Sequence, residues 1–165
     1  MYLLLMERME KAGYRQYEIS NFAKPGFESR HNITYWRNED YYGLGAGAHG
    51  YVNRYRHVNI KGVNPYNEAS KQARPILDRF EVSREEAMED FVMVGLRVLE
   101  GISSDRFRNQ FGVDLEEMFG EQLNKMLESG LLEKTSSDAG YRLSQRGILF
   151  GNEVFAEFIG ALDGK

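Results

Sequence analysis

The residues best equipped for chemistry lie close together, in His31-Asn32-Ile33-Thr34-Tyr35-Trp36 and in Gly43-Leu44-Gly45-Ala46-Gly47-Ala48-His49-Gly50. Two of the three histidines and the only tryptophan are here. An imidazole nitrogen can take a metal or the axial position of a flat cofactor. Tyr35 and Trp36 offer broad faces for stacking. Alternating glycines let backbone approach a ligand closely. The same residues also serve to close a tight loop against a sheet. By residue type alone that reading has the larger weight, because structural loops outnumber sites. Gly43-x-Gly45-x-Gly47 is not a phosphate loop, since no Gly-Lys-Ser/Thr follows, and it lacks the spacing of the dinucleotide fingerprint.

Composition narrows the classes. The chain has 165 residues and no cysteine. That excludes disulfides, thiolate metal sites and a cysteine nucleophile, and it suits a cytoplasmic protein. No apolar run approaches the roughly 18 residues of a membrane span, and the N-terminus lacks the basic start of a signal peptide. Charge is uneven. Residues 1–81 carry 12 Lys/Arg against 9 Asp/Glu, and residues 82–165 carry 9 against 16. An anionic ligand therefore belongs with the first part. The acidic second part is a poor partner for nucleic acid.

The elements that must position these residues follow from periodicity. Residues 2–12 read as an amphipathic helix ended by Gly13, and Tyr14–Ser20 alternate as a strand. Asn21–Asp40 reads as a long irregular segment, residues 42–49 as a buried strand, and Tyr51–Asn59 as a further strand or hairpin arm. Asn64-Pro65 opens a helix near 65–73, and 74–82 reads as a linker. Ser83-Arg84-Glu85-Glu86 is a capping box for a helix that Gly101 ends. Helices follow from Ser104 to Gly112 and from Asp114 to Gly130. A small hairpin, Leu131–Lys134 with Tyr141–Leu143, precedes a closing helix capped by Ser144. Phe91, Phe107, Phe111 and Phe119 are core candidates.

Taken in order, Tyr17-Glu18-Ile19-Ser20-Asn21-Phe22-Ala23-Lys24-Pro25-Gly26, the HNxxYW pattern at 31–36, and Tyr42-Gly43-Leu44-Gly45-Ala46-Gly47-Ala48-His49 resemble one family. So do Met93–Ile102 and Leu143-Ser144-Gln145-Arg146-Gly147, while Arg56, Asn59 and Tyr66 match its Arg–Asn–Tyr series. The chain is similar to the C-terminal part of HemW-type proteins, relatives of oxygen-independent coproporphyrinogen III oxidase in the radical SAM superfamily. The resemblance implies a mixed α/β and α+β fold. Residues 1–73 would be the last αβ units of a partial (β/α) barrel, 74–82 a linker, and 83–165 a winged-helix-like, mostly helical accessory domain. The family's [4Fe–4S] cluster sits on CxxxCxxC and binds S-adenosylmethionine. With no cysteine here, cluster and radical chemistry are not carried over, no catalytic or metal-ligating residue is assigned, and the chain is expected to be a fragment. What carries over is the tetrapyrrole side. The resemblance implies heme or porphyrin as ligand, with His31, Asn32, Tyr35 and Trp36 at the heme, and Gly43, Gly45, Gly47 and His49 near cofactor or substrate. Arg54 and Arg56 are assigned to propionates from charge alone. The main functional expectation is a heme-binding chaperone of tetrapyrrole metabolism. The alternatives are a coproporphyrinogen III oxidase and a non-catalytic winged-helix interaction module. Expected partners are the missing N-terminal barrel half and a second copy of the chain covering open strand edges.

Overall fold

Tyr2–Lys11 forms α1, which closes before Gly13 at φ +79°. The structure, a computed structural model, describes residues 1–135 and 140–163. Its contacts gather into two units: residues 1–38 with residues 88 onward, and residues 39–87. Every ladder between the strands described is antiparallel.

In the first unit, β1 (Arg15–Glu18) pairs with β2 (Asn21–Ala23). The segment expected to be irregular thus holds β2, and it also holds α2 (Arg30–Trp36). The Ser29 side chain caps α2 by accepting from the Asn32 N–H at 3.3 Å. A single short helix with one cap and no apolar stripe leaves little periodic signal, which is why the motif read as a loop. The helix after the capping box, α4 (Arg84–Gly95), ends six residues before Gly101. The chain packs closely against other parts of the unit at this point. A side chain at Gly95 would lie 2.6 Å from Ile102 Cγ2. Residues 97–99 also leave the helix to pair with β1, through Ile19 N to Arg97 O and Leu99 N to Tyr17 O, both 3.1 Å.

The rest of this unit follows the expected order. After an antiparallel bridge between Ile102 and Tyr141, the chain enters α5 (Ser104–Phe111), ended by Gly112 in the left-handed conformation, and then α6 (Leu115–Glu128). Asp114 stands at the head of α6 but does not cap it, because its carboxylate is paired with Arg108. The hairpin of β6 (Leu132–Lys134) and β7 (Tyr141–Leu143) precedes α7 (Gln145–Leu149) and α8 (Gly151–Ala156), which share a break at Phe150. The tip of the hairpin, 136–139, lies outside the described residues. The core is built on Phe91, Phe107, Phe119 and Phe158, whose rings meet edge to face at centroid distances of 5.4–6.1 Å, a favourable aromatic geometry, with Leu123 in the same buried cluster.

The second unit corrects two expectations. Residues 42–48 form no strand. β3 spans His49–Val52, and Tyr42 and Leu44 are among the most exposed apolar residues. Residues 74–82 are not a linker, because Ile76–Glu81 is β5, hydrogen-bonded along β4 (Tyr55–Asn59). The sheet order is β3-β4-β5. Asn53 and Arg54, at φ +51° and +65°, make the two-residue turn between β3 and β4, as the twist of paired strands favours. α3 (Val63–Lys71) starts earlier than Asn64-Pro65 suggested, with Gly62 in the cap position.

Candidate functional site

Helical spacing divides HNxxYW into two pairs. Residues four apart share a helix face, so His31 stands with Tyr35 and Asn32 with Trp36. His31 is exposed, and its ring meets that of Tyr35 at a centroid distance of 4.4 Å and an angle of 62°. The Tyr35 hydroxyl and His31 Nε2 share a short hydrogen bond.

The other pair points into the unit. Asn32 Nδ2 donates to the Tyr17 hydroxyl at 3.3 Å. Trp36 carries the guanidinium of Arg97 over its ring, 4.3 Å from the centroid, within cation–π range. Arg97 is held in turn by Glu18, Nη2 to Oε1, at 2.6 Å. Glu18 is fully buried. Its other oxygen accepts from Ser20 N at 3.0 Å and Asn21 Nδ2 at 2.7 Å. A buried carboxylate survives only when so satisfied. The β1–β2 turn, Arg97 and the end of α2 are thus one network, and it fixes the inward face so that His31 and Tyr35 are presented outward. Glu18 and Arg97 were not singled out from the sequence. The available signals were an acid inside an alternating strand and an arginine inside the apolar run Met93–Val98.

The glycine run lies in the second unit and serves its own backbone. A Cβ on Gly43 would collide with the His49 carbonyl, and Gly45 sits at φ +108°. Asn59, 2% exposed, clamps the loop by donating to Gly43 O at 2.9 Å and Gly45 O at 3.0 Å. Gly45 N donates to the Tyr66 hydroxyl at 3.1 Å. Two members of the Arg–Asn–Tyr series therefore shape this loop. The third, Arg56, lies over the Tyr51 ring at 5.7 Å. Gly47 also has positive φ, and His49 is exposed at the start of β3. Arg54 is paired with Glu81 at 3.1 Å, both half exposed. The ten predicted residues thus fall in two groups: His31, Asn32, Tyr35 and Trp36 together on α2, and Gly43, Gly45, Gly47, His49, Arg54 and Arg56 in the second unit.

Residues 82–150 match the model of the HemN C-terminal domain. The chain is 44% identical over 163 residues to the heme chaperone HemW of Bacillus subtilis, covering 98% of this chain and 42% of that protein. The chain is thus similar to HemW heme chaperones over nearly its whole length. The heme chaperone HemW of Lactococcus lactis is 38% identical over 159 residues, covering 96% of this chain and 41% of its own length. The chain therefore spans about two-fifths of the curated relatives it matches. Among solved structures, Escherichia coli coproporphyrinogen III oxidase (HemN), described as a radical SAM enzyme, superposes with a TM-score of 0.70. It shares 16% identity and covers 94% of this chain and 39% of that one. At that identity the likeness bears on the fold alone. Among the described residues no helix is long and apolar enough to cross a membrane.

Proposed function

We propose that this chain carries a tetrapyrrole-facing surface of a radical SAM heme chaperone, with His31 as the heme-linked residue. The observation that carries the reading is the division of α2. Asn32 and Trp36 are tied inward by Tyr17 and Arg97, while His31 and Tyr35 form an outward pair of imidazole and phenol. Neutral imidazole is a common axial ligand of heme iron. Here Asn32 and Trp36 act by setting the rotation of the helix. The glycine loop and His49 are proposed to lie near cofactor or substrate. The exposed Arg54–Glu81 pair, worth little in water, leaves Arg54 able to exchange Glu81 for a propionate, beside Arg56.

The residues present do not fit an iron–sulfur cluster. The chain has no cysteine, and the described residues hold no group of three or more metal-binding side chains. The cluster and S-adenosylmethionine belong, in this reading, to the relatives' further length, and no step is derived through them. Leu3, Leu4 and Leu5 on α1 are 63%, 49% and 46% exposed, and Ile76, Leu77 and Phe80 leave β5 uncovered. These are the surfaces we assign to the N-terminal half of a barrel, or to a second copy when that half is absent. Three helices, a hairpin and a closing helix support a winged-helix-like reading of residues 83–165.

Titration of the chain with hemin should give a saturable Soret band, and His31→Ala should weaken it severely. An unchanged band in that variant removes His31 from the account. The second reading is oxidative decarboxylation of coproporphyrinogen III. Turnover of that substrate by a relative-length protein with an intact cluster would support it, and its absence would leave the chaperone reading.

A further inference from the structure

The geometry points to a binding pocket for a small dicarboxylate with an apolar body, set between the end of α2 and the helical part of the first unit. It is independent of the heme reading. A cavity of about 430 Å³ is walled by Trp36 and Phe91 and edged by Arg37, Arg106 and Arg142. Glu100 also lines it, so the charged lining is three guanidinium groups against one carboxylate. Guanidinium matches a carboxylate with two parallel hydrogen bonds.

Two of these arginines already hold carboxylates of the chain itself. Arg37 Nη2 is 3.3 Å from Glu100, and Arg142 Nε is 2.7 Å from Glu133. Both pairs are well exposed, and exposed pairs contribute little. Either glutamate can give way to a ligand carboxylate with no net loss of ion pairing. Two such exchanges suit two carboxylates. Trp36 and Phe91 supply flat apolar wall for the body between them. The indole N–H of Trp36 is buried and, among the described residues, unpartnered. A buried donor of that kind is costly to leave unmet. His31 faces away from this pocket, because residues 31 and 36 are separated by about 140° around a helix of 3.6 residues per turn.

Trp36 is the only tryptophan, so the pocket carries its own reporter. The test is a titration of the chain with cyclohexane-1,2-dicarboxylate, read by Trp36 emission. Parallel arms use cyclohexanecarboxylate, inorganic phosphate, and sodium chloride at matched ionic strength. The dicarboxylate should produce a saturable change and bind more tightly than cyclohexanecarboxylate or phosphate. Arg37→Gln and Arg142→Gln should each weaken it roughly tenfold, the scale of one lost charge-assisted pair. Arg37→Lys and Arg142→Lys keep the charge, lose the fork, and should also weaken binding, which covers any failure of the glutamine variants to fold. Lys71→Gln in the second unit and His31→Ala should bind normally. A change reproduced by sodium chloride, one that survives the Arg37→Gln Arg142→Gln double variant, or no saturable change at all overturns the proposal. Tighter binding of phosphate than of the dicarboxylate overturns the ligand class.

Discussion

Replacing Arg97 by methionine tests whether a buried ion pair holds the motif helix in place. Methionine keeps much of the unbranched stem beside Trp36 and Phe155 and deletes the guanidinium. Glu18 is fully buried and would lose its strongest partner, keeping only Ser20 N and Asn21 Nδ2. Removing one member of a buried pair costs about 3–5 kcal/mol. The Arg97 side chain is 24% exposed, so water can reach the site and the lower end applies. The loss of the cation–π contact with Trp36 adds up to about 1 kcal/mol. A total of about 3–4 kcal/mol, divided by a urea slope of about 1.5–2 kcal/mol/M, moves the midpoint down by roughly 1.5–2.7 M. Urea unfolding followed by Trp36 fluorescence reads this directly, because the reporter is the residue under Arg97. Glu18→Gln together with Arg97→Met should cost clearly less than the two single changes added, since the pair leaves no uncompensated charge when both charged groups are gone. A midpoint shift under about 0.5 M at unchanged slope, or strictly additive costs, would refute the reasoning.

Other expectations follow from single contacts. If Nε2 of His31 takes heme iron, it must first leave the Tyr35 hydroxyl. Tyr35→Phe should then bind hemin at least as tightly as the parent, and weaker binding would make Tyr35 a direct participant. Burial, with Glu116 beside it, pushes the Tyr141 phenol up to about 12 from 10. The folded state then holds that proton more firmly than the unfolded one. Stability from this group is complete below pH 10 and is lost as pH rises toward 12. Tyr141→Phe should flatten the alkaline fall in unfolding midpoint, and an identical fall in both proteins would remove Tyr141 as its cause. Asn59→Ala orphans the carbonyls of Gly43 and Gly45, at a cost of about 1–3 kcal/mol. Limited proteolysis should then cut residues 42–48 faster, and an unaltered rate would show that Asn59 does not clamp the loop. Ser83→Ala should cost about 1 kcal/mol by removing one half of the capping box, measured as a lowered thermal midpoint.

Local chemistry was legible because local atoms satisfy it. Both halves of the capping box form, Ser83 N to Glu86 Oε2 at 2.8 Å and Glu86 N to Ser83 Oγ at 3.1 Å. Gly112 takes the left-handed cap, and Ser144 Oγ accepts from Gly147 N at 2.9 Å. The apolar spacing of Phe91, Phe107, Phe119, Leu123 and Met126 is the buried face it promised. Matters that depend on distant chain were not legible. β5 carries exposed side chains along its whole length, so no alternation marks it, and only its ladder to β4 makes it a strand. Gly43 through Gly47 resembled a buried strand because composition cannot show that the close approach is made by the chain's own His49 and Asn59.

The sequence by itself determined the likeness to HemW-type proteins, the capping box at Ser83, the caps at Gly112 and Ser144, and the core aromatics. Tertiary structure decided which motif side chains face out. Helical spacing pairs His31 with Tyr35, but the choice between inward and outward faces rests on Glu18 and Arg97, which are 79 residues apart. A buried carboxylate must find its counter-charge wherever the fold brings it, and a one-dimensional pattern has no term for that pairing.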